Sequence, residues 1–336
     1  MRAPSWWWRP DRGLRARALT PLGALYAAAT ARRLARARPE AAGIPVICLG
    51  NLEAGGAGKT PAAMALAQRL AARGLAVHIV SRGHGGRLAG PVRVIPSHSA
   101  ADVGDEAILL SAFAPVWVAR DRAAGLRAAR AAGAQVVLLD DGFQNPTVAR
   151  DLSILVVDAA RGWGNGLPIP AGPLRERLAA GLARADLLLT LGEPAAQDAF
   201  DRRWGAQVAA LSRLRGRLVP LPTGMRWQGL RALAFAGIGH PEKFFATLRA
   251  QGAEIVATRP LGDHQPLPPA LFARLEAEAR RLGAQLVTTE KDAARLDPAL
   301  RSRVLVLPVR LDLEDWAPLD ARLEALLQPA QGSAAP

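Results

Sequence analysis

What the chain has little of narrows its class first. It contains one cysteine, Cys48, so no internal disulfide forms, and a thiol within an apolar strand suits an inert core position in a reducing compartment. One tyrosine and seven phenylalanines leave no platform on which nucleic-acid bases would stack, which speaks against an RNA- or DNA-binding module. A bilayer span needs about 20 consecutive apolar residues, and the candidate run, Ala18 to Ala31, is shorter. No fixed-period repeat is present, which excludes a solenoid.

Half of the 336 residues are hydrophobic, which excludes extended disorder, and the length fits about two domains. The net charge is +14, nearly all of it from arginine. Such a balance favours anionic partners such as phosphates or acidic lipid.

The stretch that organises the chain runs from Ile44 to Ala72. An apolar strand leads into a glycine-rich loop, Glu53-Ala54-Gly55-Gly56-Ala57-Gly58-Lys59-Thr60, and then into an Ala/Leu/Gln/Arg helix ending at Gly74. This is the order of a P-loop. Its backbone N–H groups cradle phosphates, its Lys reaches the β- and γ-phosphates, and its Thr hydroxyl faces Mg²⁺. Glu53 stands where the pattern places its first glycine.

Downstream, Val136-Val137-Leu138-Leu139 ends in Asp140-Asp141, the Walker B form in which a buried strand delivers a carboxylate beside Mg²⁺. Strands are expected at Ala76–Val80, Val92–Ile95, Val116–Ala119, Leu152–Ala159 and Asp186–Gly192, with helices between them. Continuous apolar strands alternating with helices predict a P-loop NTPase-like parallel sheet covered by helices on both faces. The rhythm breaks around Arg213 to Gln228, and a second β-α-β series follows. The expected division is therefore an N-terminal helix (1–38), a kinase-sized α/β domain (39–212), a linker (213–228) with 304–314 as its candidate partner, and a smaller α/β domain (229–330). The last strand-like piece of that series is Gln285 to Asp292, and the tail 331–336 is expected to be disordered.

The N-terminus sets three tryptophans, Trp6 to Trp8, and several arginines ahead of Leu22, Leu25, Tyr26 and Ala29. The long Trp-rich leader and Pro21 argue against a signal peptide. Two alternatives stand: an amphipathic helix at a membrane surface, which tryptophan beside arginine favours, or a helix packed on the domain. Adjacent carboxylates such as Asp105-Glu106 in a helix's first turn ordinarily serve the helix dipole, and lone histidines such as His264 are ordinarily structural.

Several motifs, taken together and in order, resemble the tetraacyldisaccharide 4′-kinase family, the lipid A 4′-kinases of Gram-negative bacteria. They are GNLEAGGAGKTP (Gly50 to Pro61), SRG (Ser81 to Gly83), VGDE (Val103 to Glu106), DDGFQN (Asp140 to Asn145), PAGPLRE (Pro170 to Glu176), AFAGIG (Ala234 to Gly239), GDH (Gly262 to His264) and TTEKDA (Thr288 to Ala293). The resemblance runs from about Leu14 to Leu327. It implies transfer of the γ-phosphoryl of ATP, with Mg²⁺, to the 4′-hydroxyl of an acylated glucosamine disaccharide 1-phosphate. It implies that Lys59 bridges the phosphates, that Thr60 with Asp140 or Asp141 holds Mg²⁺, and that Asp105, partnered by His264 from the other domain, accepts the hydroxyl proton. Arg122 and Arg175 become candidates for steadying transition-state charge, and Glu176 a candidate metal or water contact.

The family also lacks glycine at the Glu53 position, usually carrying a small polar residue. His84 replaces a typical tyrosine, Asn145 a histidine and Arg177 a proline. The same resemblance implies work at the anionic cytoplasmic face of the inner membrane, as a peripheral or monotopic protein, and no nucleic-acid partner. It says nothing of oligomeric state. The rivals are a P-loop GTPase or metal-insertion NTPase, for which Thr289-Glu290-Lys291-Asp292 has the wrong spacing to read guanine, and a non-catalytic basic module, which would leave both phosphate motifs idle.

Overall fold

The computed structural model describes residues 3–263 and 265–327. Among the described residues, thirteen strands form two sheets. In chain order they are β1 (Val46–Gly50), β2 (Val77–Ser81), β3 (Val92–Arg93), β4 (Val116–Val118), β5 (Val136–Asp140), β6 (Leu152–Asp158), β7 (Leu187–Leu191), β8 (Ser212–Pro220), β9 (Arg231–Ala236), β10 (Glu254–Pro260), β11 (Gln285–Thr289), β12 (Leu305–Leu307) and β13 (Val309–Leu313).

The large sheet has the order β13-β8-β7-β6-β1-β5-β2-β4-β3. All of its pairs are parallel except at the two edges, where β3 runs antiparallel to β4 and β13 to β8. Every residue of β1, β2, β5, β6 and β7 is buried, as expected for strands covered on both faces. Side chains of β1 alternate between two cores. Ile47 and Leu49 join the apolar face of the helix Lys59–Ala71, while Val46 and Cys48 join the opposite core with Phe143, Trp163 and Phe200. Burial pushes the Cys48 thiol up to about 11, so it is an inert packing residue.

The stretch expected to open a linker does not do so. Residues 212–220 continue the large sheet as β8, and Val309–Leu313 returns to pair with them. The sheets are joined by 221–230 and, on the return, by Pro308. The small sheet, β10-β9-β11-β12, is wholly parallel. Its last large strand is shorter than the sequence suggests. Thr289 caps a helix, Glu290–Ala294, by accepting the N–H of Asp292, so the Glu-Lys-Asp triplet belongs to a helix start.

The N-terminal helix, Leu14–Arg36, includes Pro21. Ala16, Gly23, Ala27 and Thr30 share one buried face, and a Cβ on Gly23 would stand 2.9 Å from the Pro168 carbonyl oxygen. The opposite side exposes Leu14, Leu22, Leu25 and Tyr26. The helix packs on the domain, as one alternative has it, and keeps an apolar stripe outward. Among the described residues no helix is long and apolar enough to cross a membrane.

Candidate active site

The carboxyl ends of β1, β2, β5 and β6 gather on one edge of the large sheet, and the chain leaves β1 with a neighbour on each side, β5 and β6. Ligand crevices of open α/β sheets form at such a switch point. Here the loop 51–58 carries the chain from β1 into the helix that starts at Lys59. Gly58 is left-handed, at φ 90°, and a Cβ there would lie 2.4 Å from Leu191 Cδ1, so this position requires glycine. A Cβ on Gly55 or Gly56 would meet nothing within 4 Å, which leaves that side of the loop open.

Asn51 shapes the loop from beneath. Its Nδ2 donates to the carbonyls of Glu53 (2.9 Å) and Gly55 (3.1 Å), and its Oδ1 accepts from Lys59 Nζ at 3.0 Å. Ala54 N–H donates to the Pro173 carbonyl at 2.8 Å, and Glu53 bridges Leu174. The segment before Arg175 thus braces the P-loop. Asn51 was not singled out in the sequence, although its place at the strand end, eight residues before the lysine, is the signal that would have found it.

Lys59 lies 3.5 Å from Asp141 Oδ1, and Arg175 Nη1 lies 3.3 Å from Asp141 Oδ2. Burial would raise the Asp141 carboxyl, but Lys59 and Arg175 outweigh it and bring it down to about 2. Asp140 is different. It is buried, it accepts the Ser81 hydroxyl at 3.1 Å, and burial together with the nearby charges of Glu106 and Asp141 pushes its carboxyl up. Arg122 is buried at the start of its helix and faces both aspartates. Its Nη1 donates to the Ala119 carbonyl at 2.6 Å, and its Nε meets no hydrogen-bond partner among the described residues.

Glu53 is buried, and its Oε2 likewise has no hydrogen-bond partner among the described residues. Burial lifts its carboxyl to about 7, against the pull of Lys59. Glu176 does not join the phosphate loop. Arg184 pairs with its carboxylate and Gln144 Nε2 donates to it at 3.1 Å. Thr60 sits in the first turn of the P-loop helix.

The second sheet closes over this edge. Lys243 Nζ lies 2.6 Å from Asp158 Oδ2, Arg161 donates to the Gly239 carbonyl at 3.3 Å, and a Cβ on Gly239 would be 3.4 Å from Gly56 N. Lys291 Nζ lies 3.1 Å from Glu106 Oε1, and Arg295 Nε 3.4 Å from Asp105 Oδ2. Asp105 is buried at the first position of the helix Asp105–Leu110, and its Oδ1 accepts the Glu106 N–H at 3.0 Å. His264 lies outside the described residues. Lys291 and Arg295 were not foreseen as site residues: Lys291 lies within the TTEKDA motif but carried no assigned role, and nothing local distinguishes Arg295 from the surface arginines of any helix.

The chain is similar to known proteins along nearly its whole length. The model of the family described as tetraacyldisaccharide-1-P 4'-kinase matches residues 15–328. A tetraacyldisaccharide 4'-kinase of Dinoroseobacter shibae is 65% identical over 97% of this chain and 98% of its own length, and one of Jannaschia sp. is 57% identical over 97% and 99%. The crystal structure of LpxK from Aquifex aeolicus in complex with ATP covers 93% of this chain and 99% of its own, with a TM-score of 0.71 at 23% identity, a likeness of fold. The chain belongs to the tetraacyldisaccharide-1-P 4'-kinase family.

Proposed function

We propose that this chain moves the γ-phosphoryl group of ATP to the 4′-hydroxyl of a tetraacyldisaccharide 1-phosphate, a step of lipid A biosynthesis. The observation that carries this reading is the meeting at one sheet edge of a braced P-loop, whose lysine is held by Asn51 and Asp141, with a buried carboxylate, Asp105, at the seam between the sheets. Phosphoryl transfer passes through a loose transition state, so positioning and charge stabilisation supply most of the catalysis.

Backbone N–H groups of 55–60 hold the phosphates, and the helix that begins at Lys59 points its positive end at them. Lys59 and Arg175 share Asp141 as counter-ion, which keeps both cations inside the cleft. Arg122, already anchored by one guanidinium nitrogen, adds charge from the far side. Asp105 takes the proton of the attacking hydroxyl, with His264 as its partner.

The donor set fits Mg²⁺. Among the described residues no group of three or more His, Cys, Asp or Glu side chains is arranged to cage a metal, and Mg²⁺ is ordinarily held by one or two carboxylates with phosphate and water completing its shell. Asp141 is already satisfied by two cations, whereas Asp140 lies buried among like charges. Asp140 with Thr60 is therefore the proposed pair, and Glu176, taken by Arg184, is left out of it. Mg²⁺ held there neutralises charge on the β- and γ-phosphates.

The chain works at the cytoplasmic surface of the inner membrane, where its acylated substrate resides. The outward stripe of Leu14, Leu22, Leu25 and Tyr26, with Arg32, Arg33, Arg36 and Arg38 following, suits an anionic leaflet at about 1 kcal/mol per basic residue. The proposed division is the N-terminal helix, a kinase unit of 39–220 completed by 309–327, and a smaller unit of 229–307.

The test is γ-labelled ATP with the disaccharide 1-phosphate in detergent. Labelled bisphosphorylated lipid is expected from the wild type and at least about a hundredfold less from Lys59→Ala. Folded wild-type enzyme that labels no lipid sinks the reading.

A further inference from the structure

Three loops at the carboxyl edge of the small sheet converge on one guanidinium. Arg295 Nη2 donates to the Gly237 carbonyl (2.8 Å) after β9, Nη1 donates to the Gln265 carbonyl (3.1 Å) after β10, and Nε donates to the Lys291 carbonyl (3.3 Å) in the helix after β11. Asp292 fixes the same head group. Its Oδ1 lies 2.6 Å from Arg295 Nη2 and also accepts the Gly237 N–H at 2.9 Å, while Oδ2 accepts the Thr289 hydroxyl at 2.6 Å. Asp292 is fully buried, and the Arg295 side chain is 7% exposed. A guanidinium held on this many sides keeps one direction in space. Across the seam, Nε also lies 3.4 Å from Asp105 Oδ2, as an ion pair.

We propose that Arg295 is a positioning residue for the Asp105 carboxylate, supplied by the small sheet to the large one. The proposal rests on Asp105 being the proton acceptor. A carboxyl buried as deeply as Asp105 drifts towards its neutral form, which takes no proton, unless a cation stands beside it. Arg295 keeps it ionised and aims it. Because bond formation to phosphorus lags in a loose transition state, an ionised and fixed acceptor matters more than a strong one. A lysine cannot hold that aim, since one ammonium cannot occupy four directions of a planar fork.

The other charged groups near Asp105 are Lys291, which feels both Asp105 and Glu106, then Glu106 on the same helix, Asp263 beyond Lys291, and Asp292 behind Arg295. Lys291 is paired with Glu106 at 3.1 Å, and the ion pair seen on Asp105 among the described residues is that with Arg295.

The experiment measures kcat from pH 5 to 9, the KM for ATP, and thermal midpoints for wild type, Arg295→Met, Arg295→Lys and Asp105→Asn. A cation beside a carboxylate lowers its pKa by about 1–3 units. The acid limb of kcat is therefore expected to move up by about one pH unit or more in Arg295→Met and by less in Arg295→Lys, which keeps the charge. The KM for ATP stays within about threefold, since the residue touches no part of the P-loop. A folded Arg295→Met whose acid limb superimposes on the wild type overturns the proposal, as does loss of folding in both Arg295 variants. An active Asp105→Asn removes the proton-acceptor reading and this proposal with it. An inactive Asp105→Asn beside a pH-silent Arg295→Met removes the positioning role alone.

Discussion

Glu53 offers the sharpest numerical check, because its carboxyl is lifted from an ordinary 4.5 to about 7 by burial, against the opposing pull of Lys59 and Arg175. A raised acid binds its proton more tightly in the folded state than in the unfolded one. Its contribution is therefore fully present below pH 4.5 and is lost as the pH rises through about 7. At about 1.4 kcal/mol per pH unit, the whole interval corresponds to about 3 kcal/mol, of which about 2 kcal/mol falls between pH 5.5 and pH 8.5. Glu53→Gln keeps the shape and cannot ionise. Urea unfolding followed by tryptophan fluorescence should show the stability of the variant relative to wild type improving by about 2 kcal/mol from pH 5.5 to pH 8.5, with other titrating groups cancelling between the two proteins. The KM for ATP should also fall below that of wild type at pH 8.5, where a like charge has been removed from the phosphate loop, and match it at pH 5.5. A stability difference equal at both pH values would refute the desolvation of Glu53.

Two further outcomes test separate parts of the molecule. Asp140→Asn is expected to raise the Mg²⁺ concentration for half-maximal turnover by about tenfold or more, the scale set by loss of even an outer partner of a metal site, while Asp141→Asn changes it by less than about threefold; a reversed pattern in a Mg²⁺ titration assigns the metal to Asp141. Replacing Leu22, Leu25 and Tyr26 together by serine is expected to weaken binding to anionic vesicles by about a hundredfold, at about 1 kcal/mol for each partly buried side chain, with an unchanged thermal midpoint because these side chains point away from the domain. Unaltered vesicle sedimentation would reject the membrane stripe. Substitution is preferable to deleting residues 1–38, because Trp7 Nε1 donates to the Pro170 carbonyl at 3.0 Å and Ala16 packs on Leu167 and Ala171, so deletion uncovers part of the core.

The phosphate loop, the aspartate pair and the alternation of strands were legible in the sequence because each is a local pattern. A run of apolar residues ending in Asp140, or Gly58-Lys59-Thr60 before a helix, specifies its own geometry. The edges were less legible. Ser212–Pro220, with one glycine and one proline, becomes a strand by pairing with β7 on one side and, on the other, with Val309–Leu313, which lies within the partner segment 304–314 that the sequence offered. The sequence strand through Asp292 ended at Thr289 because the Thr289 hydroxyl and the Asp292 amide and carboxylate prefer each other to a ladder. Which of two adjacent aspartates suits a metal was open in the sequence, since strand position alone does not distinguish them. The structure separates them by company: two cations stand on Asp141, and the neighbours of Asp140 include Glu106 and Asp141. Arg295 was invisible because its function, if a proton acceptor sits at Asp105, depends entirely on an approach between two sheets.

That approach has an energetic logic. Lys291 with Glu106, and Arg295 with Asp105 and Asp292, are charges drawn largely out of water at the seam, and desolvation of such groups offsets much of their attraction. The seam pairs therefore stabilise the docked arrangement weakly, and opening it rehydrates them at small cost. A lipid disaccharide too large to thread into a sealed cleft needs such a seam. The P-loop cation, by contrast, is held within the large sheet alone, by Asn51 and Asp141, and stays in place whether the sheets meet or part. If Asp105 is the proton acceptor, nucleotide binding can precede closure, and the guanidinium beside that carboxylate arrives only with it.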